Sequence, residues 1–224
     1  MRLPDSPEAR GPCLTPPASL GTPLAMSTSS SAALILASAS PRRRELLERA
    51  AVAFEVRPAN ILERREPGEP PALFARRLAL AKARTVARKA GASPPRLVLG
   101  ADTIVVVGER VLGKPRDEAE ALEMLRALAG REHSVLTGVC VVNAATGSVA
   151  SRVVATRVRF HAASDEELRR YVASGEPLGR AGAYAIQGYG GLLVAGIDGD
   201  YSNVVGLPLG ATLDLLAEAL PGER

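Results

Sequence analysis

Apolar positions in this chain fall into short runs separated by turn signals. Ala33 to Leu36 is an uninterrupted apolar run of strand length, and Ala37, Ser38 and Ala39 follow as small residues where backbone can approach a ligand closely. Ser40 at an N-cap position and Pro41 at the first helical position then start a helix predicted to reach about Ala50. Val52, Phe54 and Val56 alternate as a second strand that Pro58 closes. An Ala- and Leu-rich helix is predicted from about Ala72 to Ala90, ended by Gly91 to Pro95. Leu97 to Val107 is strongly β-like but interrupted at Gly100-Ala101-Asp102-Thr103, and Gly108-Glu109 turns it into a short return strand ending at Leu112. A helix follows from about Glu118 to Leu128. Val135 to Val142 and Val149 to Phe160 form a hairpin, with Thr156, Val158 and Phe160 on one face and Arg157 and Arg159 on the other. Ser164 and Glu167 make a capping box for a helix to about Ala173. Leu192 to Ile197 reads as a strand, Tyr201 to Pro208 as a loop, and Leu209 to Leu220 as the last helix. Strands and helices alternate around an antiparallel hairpin, which predicts an α/β fold with a mixed sheet.

The first 32 residues stand apart. Pro4, Pro7, Pro12, Pro16, Pro17 and Pro23 break any helix, and Ser27 to Ser31 is almost all hydroxyl. Residues 1–32 therefore read as a disordered leader ahead of a single domain at 33–221. Met26 is an alternative initiator, which would make the leader a start-site artefact. The leader has neither the continuous apolar core of a secretory signal nor the arginine-rich amphipathic pattern of a transit peptide.

Composition narrows the function classes. With 46% hydrophobic residues in 224, the chain can bury a real core, but at 3% aromatic and no Trp that core is aliphatic. Scarce aromatics argue against a base-stacking platform, and the net charge of +4 is spread along the chain, so nucleic acid is not an expected partner. Cys13, Cys140, His133 and His161 show no metal-ligand spacing, which excludes a zinc site and a disulfide framework. A reducing, cytoplasmic setting fits, and no apolar run approaches a membrane span. Of 28 Lys and Arg residues only Lys82, Lys89 and Lys114 are lysine. Where arginine is so favoured, a remaining lysine is a candidate for a site needing a compact point charge, as at a phosphate.

Two local anomalies point to chemistry. Arg42, Arg43 and Arg44 crowd the start of a helix, where the partial positive charge of the N-terminus disfavours each cation by roughly a few tenths of a kcal/mol. An anion bound there reverses the sign, because free N–H groups, serine hydroxyls and guanidinium forks then converge on it. Otherwise the turn is simply basic and solvated. Asp102 is an acid within an apolar β run: either a polar residue at a bulge or loop end, or a strand-end carboxylate able to hold a divalent cation or take a proton from water. Lys82 has apolar neighbours at i±3 and i±4, as an inward-reaching lysine would, but so do Arg76 and Arg77. Glycines and alanines crowd around Gln187. The chain carries neither the Walker pattern nor Gly-x-Gly-x-x-Gly after the first strand.

Together these segments resemble the Maf family of nucleoside triphosphate pyrophosphatases. Ala-Ser-Ala-Ser-Pro-Arg-Arg (Ala37 to Arg43), Gly-Ala-Asp-Thr-Ile-Val (Gly100 to Val105), Gly-Lys-Pro (Gly113 to Pro115) and His-Ser-Val-Leu-Thr-Gly (His133 to Gly138) are similar to its motifs. So are Gly-Glu-Pro (Gly175 to Pro177), Ala-Gly-Ala-Tyr-Ala-Ile-Gln-Gly (Ala181 to Gly188) and Asn-Val-Val-Gly-Leu-Pro-Leu (Asn203 to Leu209). The resemblance implies an elongated mixed sheet flanked by helices, ITPase-like, with two lobes around a cleft. It implies hydrolysis of a nucleoside triphosphate to monophosphate and pyrophosphate, with Mg or Mn as cofactor, and a homodimer as assembly. It implies Asp102 as the catalytic acid that activates water, Ser38, Arg42, Arg43, Lys82 and Lys114 as substrate-binding, and Glu63 with Asp102 as metal ligands. Arg42, Thr103 and Gln187 look like the subgroup that prefers dTTP and UTP rather than 7-methyl-GTP. The family commonly shows two adjacent acids where this chain has Leu62 before Glu63. A different base preference and a nucleotide-binding regulator of cell division are the alternatives. An intact set of acid, lysines and arginines speaks against the regulator.

Overall fold

A computed structural model describes residues 34–91 and 96–219. The expected leader, its start site and Cys13 lie outside the described residues. One seven-stranded mixed sheet organises the fold, in the order β2-β1-β3-β5-β6-β7, with β4 also paired to β3. The strands are β1 (Leu34–Leu36), β2 (Glu55–Val56), β3 (Leu97–Val107), β4 (Arg110–Leu112), β5 (Glu132–Asn143), β6 (Val149–Phe160) and β7 (Val194–Asp198). Strands β1, β2 and β3 are parallel, and β5, β6 and β7 continue antiparallel.

The long strand β3 places the chemistry. Along one edge its first residues pair with β1 (Leu34↔Leu97 to Leu36↔Leu99) and its last with β4 (Val105↔Leu112 to Val107↔Arg110). Between them, 100–104 have no strand partner on that edge. The other edge pairs without a break from Leu97↔Asn143 to Val106↔Ser134. The expected interruption at Gly100 to Thr103 is therefore absent, and Asp102 sits mid-strand rather than at a strand end. Pairing to β5 holds the segment extended, so glycine and aspartate do not break it.

Helix α2 (Pro71–Ala90) explains the glycine. Gly100 and Asp102 point to the same sheet face, and Asp102 lies opposite Gly138 of β5. A Cβ on Gly100 would collide with the Ala79 carbonyl, and one on Gly138 with the Ala75 carbonyl. Small residues on both sides (Ala75, Ala79, Ala83 against Gly100 and Gly138) let helix backbone lie directly on the sheet. Lys82 is thereby carried to Asp102. The opposite face is covered by α1 (Pro41–Arg49), α5 (Tyr201–Val205) and α6 (Leu209–Ala219), whose Leu46, Leu47, Val205 and Leu215 pack on Leu99, Ala101 and Val139.

The core divides between the two ends of this sheet. Toward β4, α3 (Glu118–Leu128) and α4 (Asp165–Ala173) form a separate aliphatic cluster with Val105, Val107, Val158 and Phe160. Here sequence and structure agree residue by residue: α3 and β6 keep the predicted bounds, and Ser164 and Glu167 form the capping box. The second strand shrinks to Glu55–Val56, since it is an edge with β1 as its partner. The predicted loop at Tyr201 to Pro208 contains α5, which Asp200 caps through the Ser202 and Asn203 amides. Among the described residues no helix is long and apolar enough to cross a membrane.

Candidate active site

A cleft of about 770 Å³ opens at the unpaired stretch of β3. All nine residues singled out from the sequence line it: Ser38, Arg42, Arg43, Glu63, Lys82, Asp102, Thr103, Lys114 and Gln187. The chain delivers them from separate elements. Ser38 comes from the turn into α1 and the two arginines from its first turn, Glu63 from the loop before α2, and Lys82 from α2. Asp102 and Thr103 come from β3, Lys114 from the turn after β4, and Gln187 from the glycine-rich loop before β7.

Asp102 and Lys82 are both buried and joined by a 2.6 Å hydrogen bond from Nζ to Oδ1. Glu63 reaches the same nitrogen, Oε1 lying 2.5 Å away, while half of its side chain stays exposed. Two carboxylates thus converge on one point. Burial raises the Asp102 pKa, opposed by the charge and hydrogen bond of Lys82. Partial burial works against ionisation of Glu63, yet the hydrogen bond and charge of Lys82, with Lys114 and Arg43 beyond, outweigh it and lower the Glu63 pKa. Oxygen-only, carboxylate-based ligation suits a magnesium-like ion, which keeps waters and substrate phosphates as its other ligands. Among the described residues no group of three or more His, Cys, Asp or Glu side chains gathers.

Adjacent arginines turn opposite ways. Arg43 is buried and its guanidinium serves the protein: Nε donates to the Gly206 carbonyl at 2.8 Å, Nη1 to Ser38 Oγ at 3.1 Å and Nη2 to Thr103 Oγ1 at 3.1 Å. Burial lowers its pKa, with Asp102 and Glu63 acting the other way. Thr103 Oγ1 also shares a hydrogen bond with Thr137 at 2.9 Å and donates to Gly206 at 3.2 Å. Arg43 and Thr103 therefore brace α1, β3 and the turn after α5 in the wall of the cleft. Arg42 and Lys114 face the cleft with no protein hydrogen-bond partner among the described residues, and Lys114 is exposed. Ser40 makes no side-chain cap bond, and its amide donates to Ser38 Oγ at 3.2 Å. Arg44, which matched no motif, is exposed and pairs weakly with Glu48 at 3.7 Å.

Five cationic side chains (Arg42, Arg43, Arg65, Lys82, Lys114) and two acidic ones line the cleft, so it suits a polyanion. Several contributors escape a sequence reading. Arg65 lines the cleft while donating to the Glu69 carbonyl. Thr137 and the Gly206 carbonyl hold the brace, and Tyr184 forms part of the opposite wall. Thr137, Tyr184 and Gly206 lie inside motifs and Arg65 outside them, but no spacing rule marks any of them out.

Known proteins are similar to this chain over most of its length. The family model described as Maf-like protein matches residues 33–219. A dTTP/UTP pyrophosphatase of Anaeromyxobacter dehalogenans is 54% identical over 85% of this chain and 97% of its own length. One of Moorella thermoacetica is 54% identical over 82% of this chain and 93% of its own. One of Myxococcus xanthus is 52% identical over 83% and 92%. A solved nucleoside-triphosphatase / dITP/XTP pyrophosphatase from Mycobacterium abscessus aligns over 84% of this chain at 14% identity with a TM-score of 0.40, too loose to carry a conclusion. A match that spans the sheet, the cleft and every residue placed in it makes the chain a member of the Maf-like protein family.

Proposed function

We propose that this protein hydrolyses dTTP and UTP to the nucleoside monophosphate and pyrophosphate. The observation that carries the reading is Asp102: a buried carboxylate held by Lys82 at an unpaired strand edge, opening on a cationic cleft. Lys82 engages Oδ1, which leaves Oδ2 to accept a proton from water. A raised pKa makes Asp102 a better base than an exposed aspartate. Water so activated attacks the α-phosphorus, the bond from that phosphorus to its bridging oxygen breaks, and pyrophosphate leaves. Arg42, Lys114 and the free N–H groups at the start of α1 hold the phosphates. Glu63 and Asp102 would be the residues to hold Mg²⁺ or Mn²⁺, which would supply neutralisation of charge on the departing pyrophosphate. Gln187 offers donors and an acceptor to the edge of uracil or thymine. The names of the relatives support that base preference. Such substrates are cytoplasmic, and the free, buried Cys140 is compatible with a reducing compartment. A homodimer, which light scattering tests, is our working assembly.

The test is pyrophosphate release from a panel of UTP, dTTP, CTP, GTP and 7-methyl-GTP with added Mg²⁺ or Mn²⁺. UTP and dTTP are expected to be cleaved fastest. Asp102→Asn should lower kcat by about 10²–10⁴-fold, the usual worth of a general base, with the melting temperature little changed. Full activity in that variant overturns the mechanism. Nucleotide binding without pyrophosphate release in the wild type overturns the enzyme reading altogether.

A further inference from the structure

The wall opposite Asp102 is a loop, and one carboxylate holds it. Glu176, two residues past the helix cap Ser174, accepts three hydrogen bonds. Its Oε1 takes the Tyr171 hydroxyl at 2.8 Å and the Gly190 amide at 2.9 Å, and Oε2 takes the Tyr189 amide at 3.0 Å. The Tyr171 hydroxyl in turn accepts the Ala185 amide at 3.2 Å. Backbone is therefore tied on both sides of Gln187, which is exposed and lines the cleft. The glycines of this loop serve the same contact. A Cβ on Gly188 would collide with Glu176 Oε2, and one on Gly190 with the Tyr171 hydroxyl. Close backbone approach in this loop is thus made to the clamp. Burial, followed by the hydrogen bond to Glu176, raises the Tyr171 pKa, which keeps the phenol protonated and donating.

The geometry points to Glu176, with Tyr171, as a positioning pair that sets base selectivity by fixing the loop that presents Gln187. Neither residue lines the cleft or hydrogen-bonds to Asp102. This inference rests on the reading of Gln187 as the base-contacting residue. An amide side chain reads a ring edge only when its direction is fixed, because a swivelling amide can offer donor or acceptor to any base.

The experiment compares kcat and KM on UTP, dTTP, CTP and GTP for Glu176→Ala, Glu176→Gln, Tyr171→Phe and Gln187→Ala, with melting curves for each. Glu176→Ala should raise KM for UTP about 10-fold with kcat within about 3-fold, and shrink the UTP-over-CTP ratio of kcat/KM by about the same 10-fold. Glu176→Gln keeps an oxygen that can accept from the Tyr189 or Gly190 amide, so it should recover most of the ratio. Tyr171→Phe, which frees the Ala185 amide, should fall between. Gln187→Ala separates the two ideas. If it flattens the ratio and Glu176→Ala does not, the clamp is overturned and the reading of Gln187 stands. If Gln187→Ala leaves the ratio intact, that reading falls and takes the inference with it. Equal loss of kcat on all nucleotides, with Glu176→Gln as poor as Glu176→Ala, marks a purely structural role and overturns the inference.

Discussion

The two walls of the cleft are built in opposite ways. The wall with Asp102 and Lys82 is backbone laid on backbone, α2 against β3 and β5, with buried Phe74, Ala75, Leu78, Ala79, Ala83 and Val86 filling the contact. The wall with Gln187 has no long element. Short 3-10 turns at Ala181–Ala183 and Tyr189–Leu193 flank a loop that side chains hold in place. Shifting the first wall means repacking a core. Shifting the second means breaking a few hydrogen bonds, each worth about 1 kcal/mol. Groups that handle protons and phosphate thus sit where position is hardest to change, and the group that meets the base sits where it is easiest.

The largest effect should come from filling the space between α2 and the sheet. Gly100→Ala places a methyl group into the Ala79 carbonyl and Ala83 amide, backbone atoms that cannot rotate away. Overpacking a core costs about 1–3 kcal/mol and more when backbone must move, so a loss of 3 kcal/mol or more is expected. Displacement of α2 also draws Lys82 from Asp102, so the folded fraction should lose kcat on every nucleotide without altering the ratios between them. Urea unfolding and the nucleotide panel measure both. A variant that changed base preference instead would break the division of labour between the walls.

Much of this was legible in the sequence, for a definable reason. Helix caps and period-2 strands are local signals, so α3, α4 and β6 could be bounded from a few residues each. Most cleft residues were legible because they sit in short motifs, and Glu63 and Lys82 only through the family resemblance. What failed is what depends on partners remote in sequence. Gly100-Ala101-Asp102 reads as a break until β5 is seen pairing through it and α2 lying on it. Helix α5 has five residues, too few to show a period. Nothing local tells Arg42 from Arg43. The difference is made by the Gly206 carbonyl, 163 residues further along.

That pair gives a finer test. Arg43→Ala deprives Ser38, Thr103 and the Gly206 carbonyl of a buried charged donor and should cost about 2–3 kcal/mol of stability. Arg42→Ala should leave the melting temperature nearly unchanged and raise KM for UTP and dTTP by about 10-fold, the worth of one phosphate contact. If the two variants behave the same, the inward and outward arginines are not the distinct groups the geometry makes them.

At neutral pH the smallest effect belongs to His133, beneath the base-side wall. Its Nε2 is 3.0 Å from the Tyr184 hydroxyl, its Nδ1 is buried without a hydrogen-bond partner, and Phe160 and Tyr184 pack edge-on against the ring. Burial lowers its pKa to about 4 from an ordinary 6.5. The unfolded chain therefore takes up a proton between those values that the folded protein refuses, and stability falls as pH drops through that window. The slope from this one group is at most about 1.4 kcal/mol per pH unit and vanishes above the window. Melting curves at pH 7, 5.5 and 4.5 should show the wild type losing more than a His133→Asn variant, which carries no such proton. Tyr184 lines the cleft, so acid should weaken the base-side wall through His133. Equal slopes in both proteins would mean that His133 ionises freely in the folded state, and that the loop wall is not anchored through it.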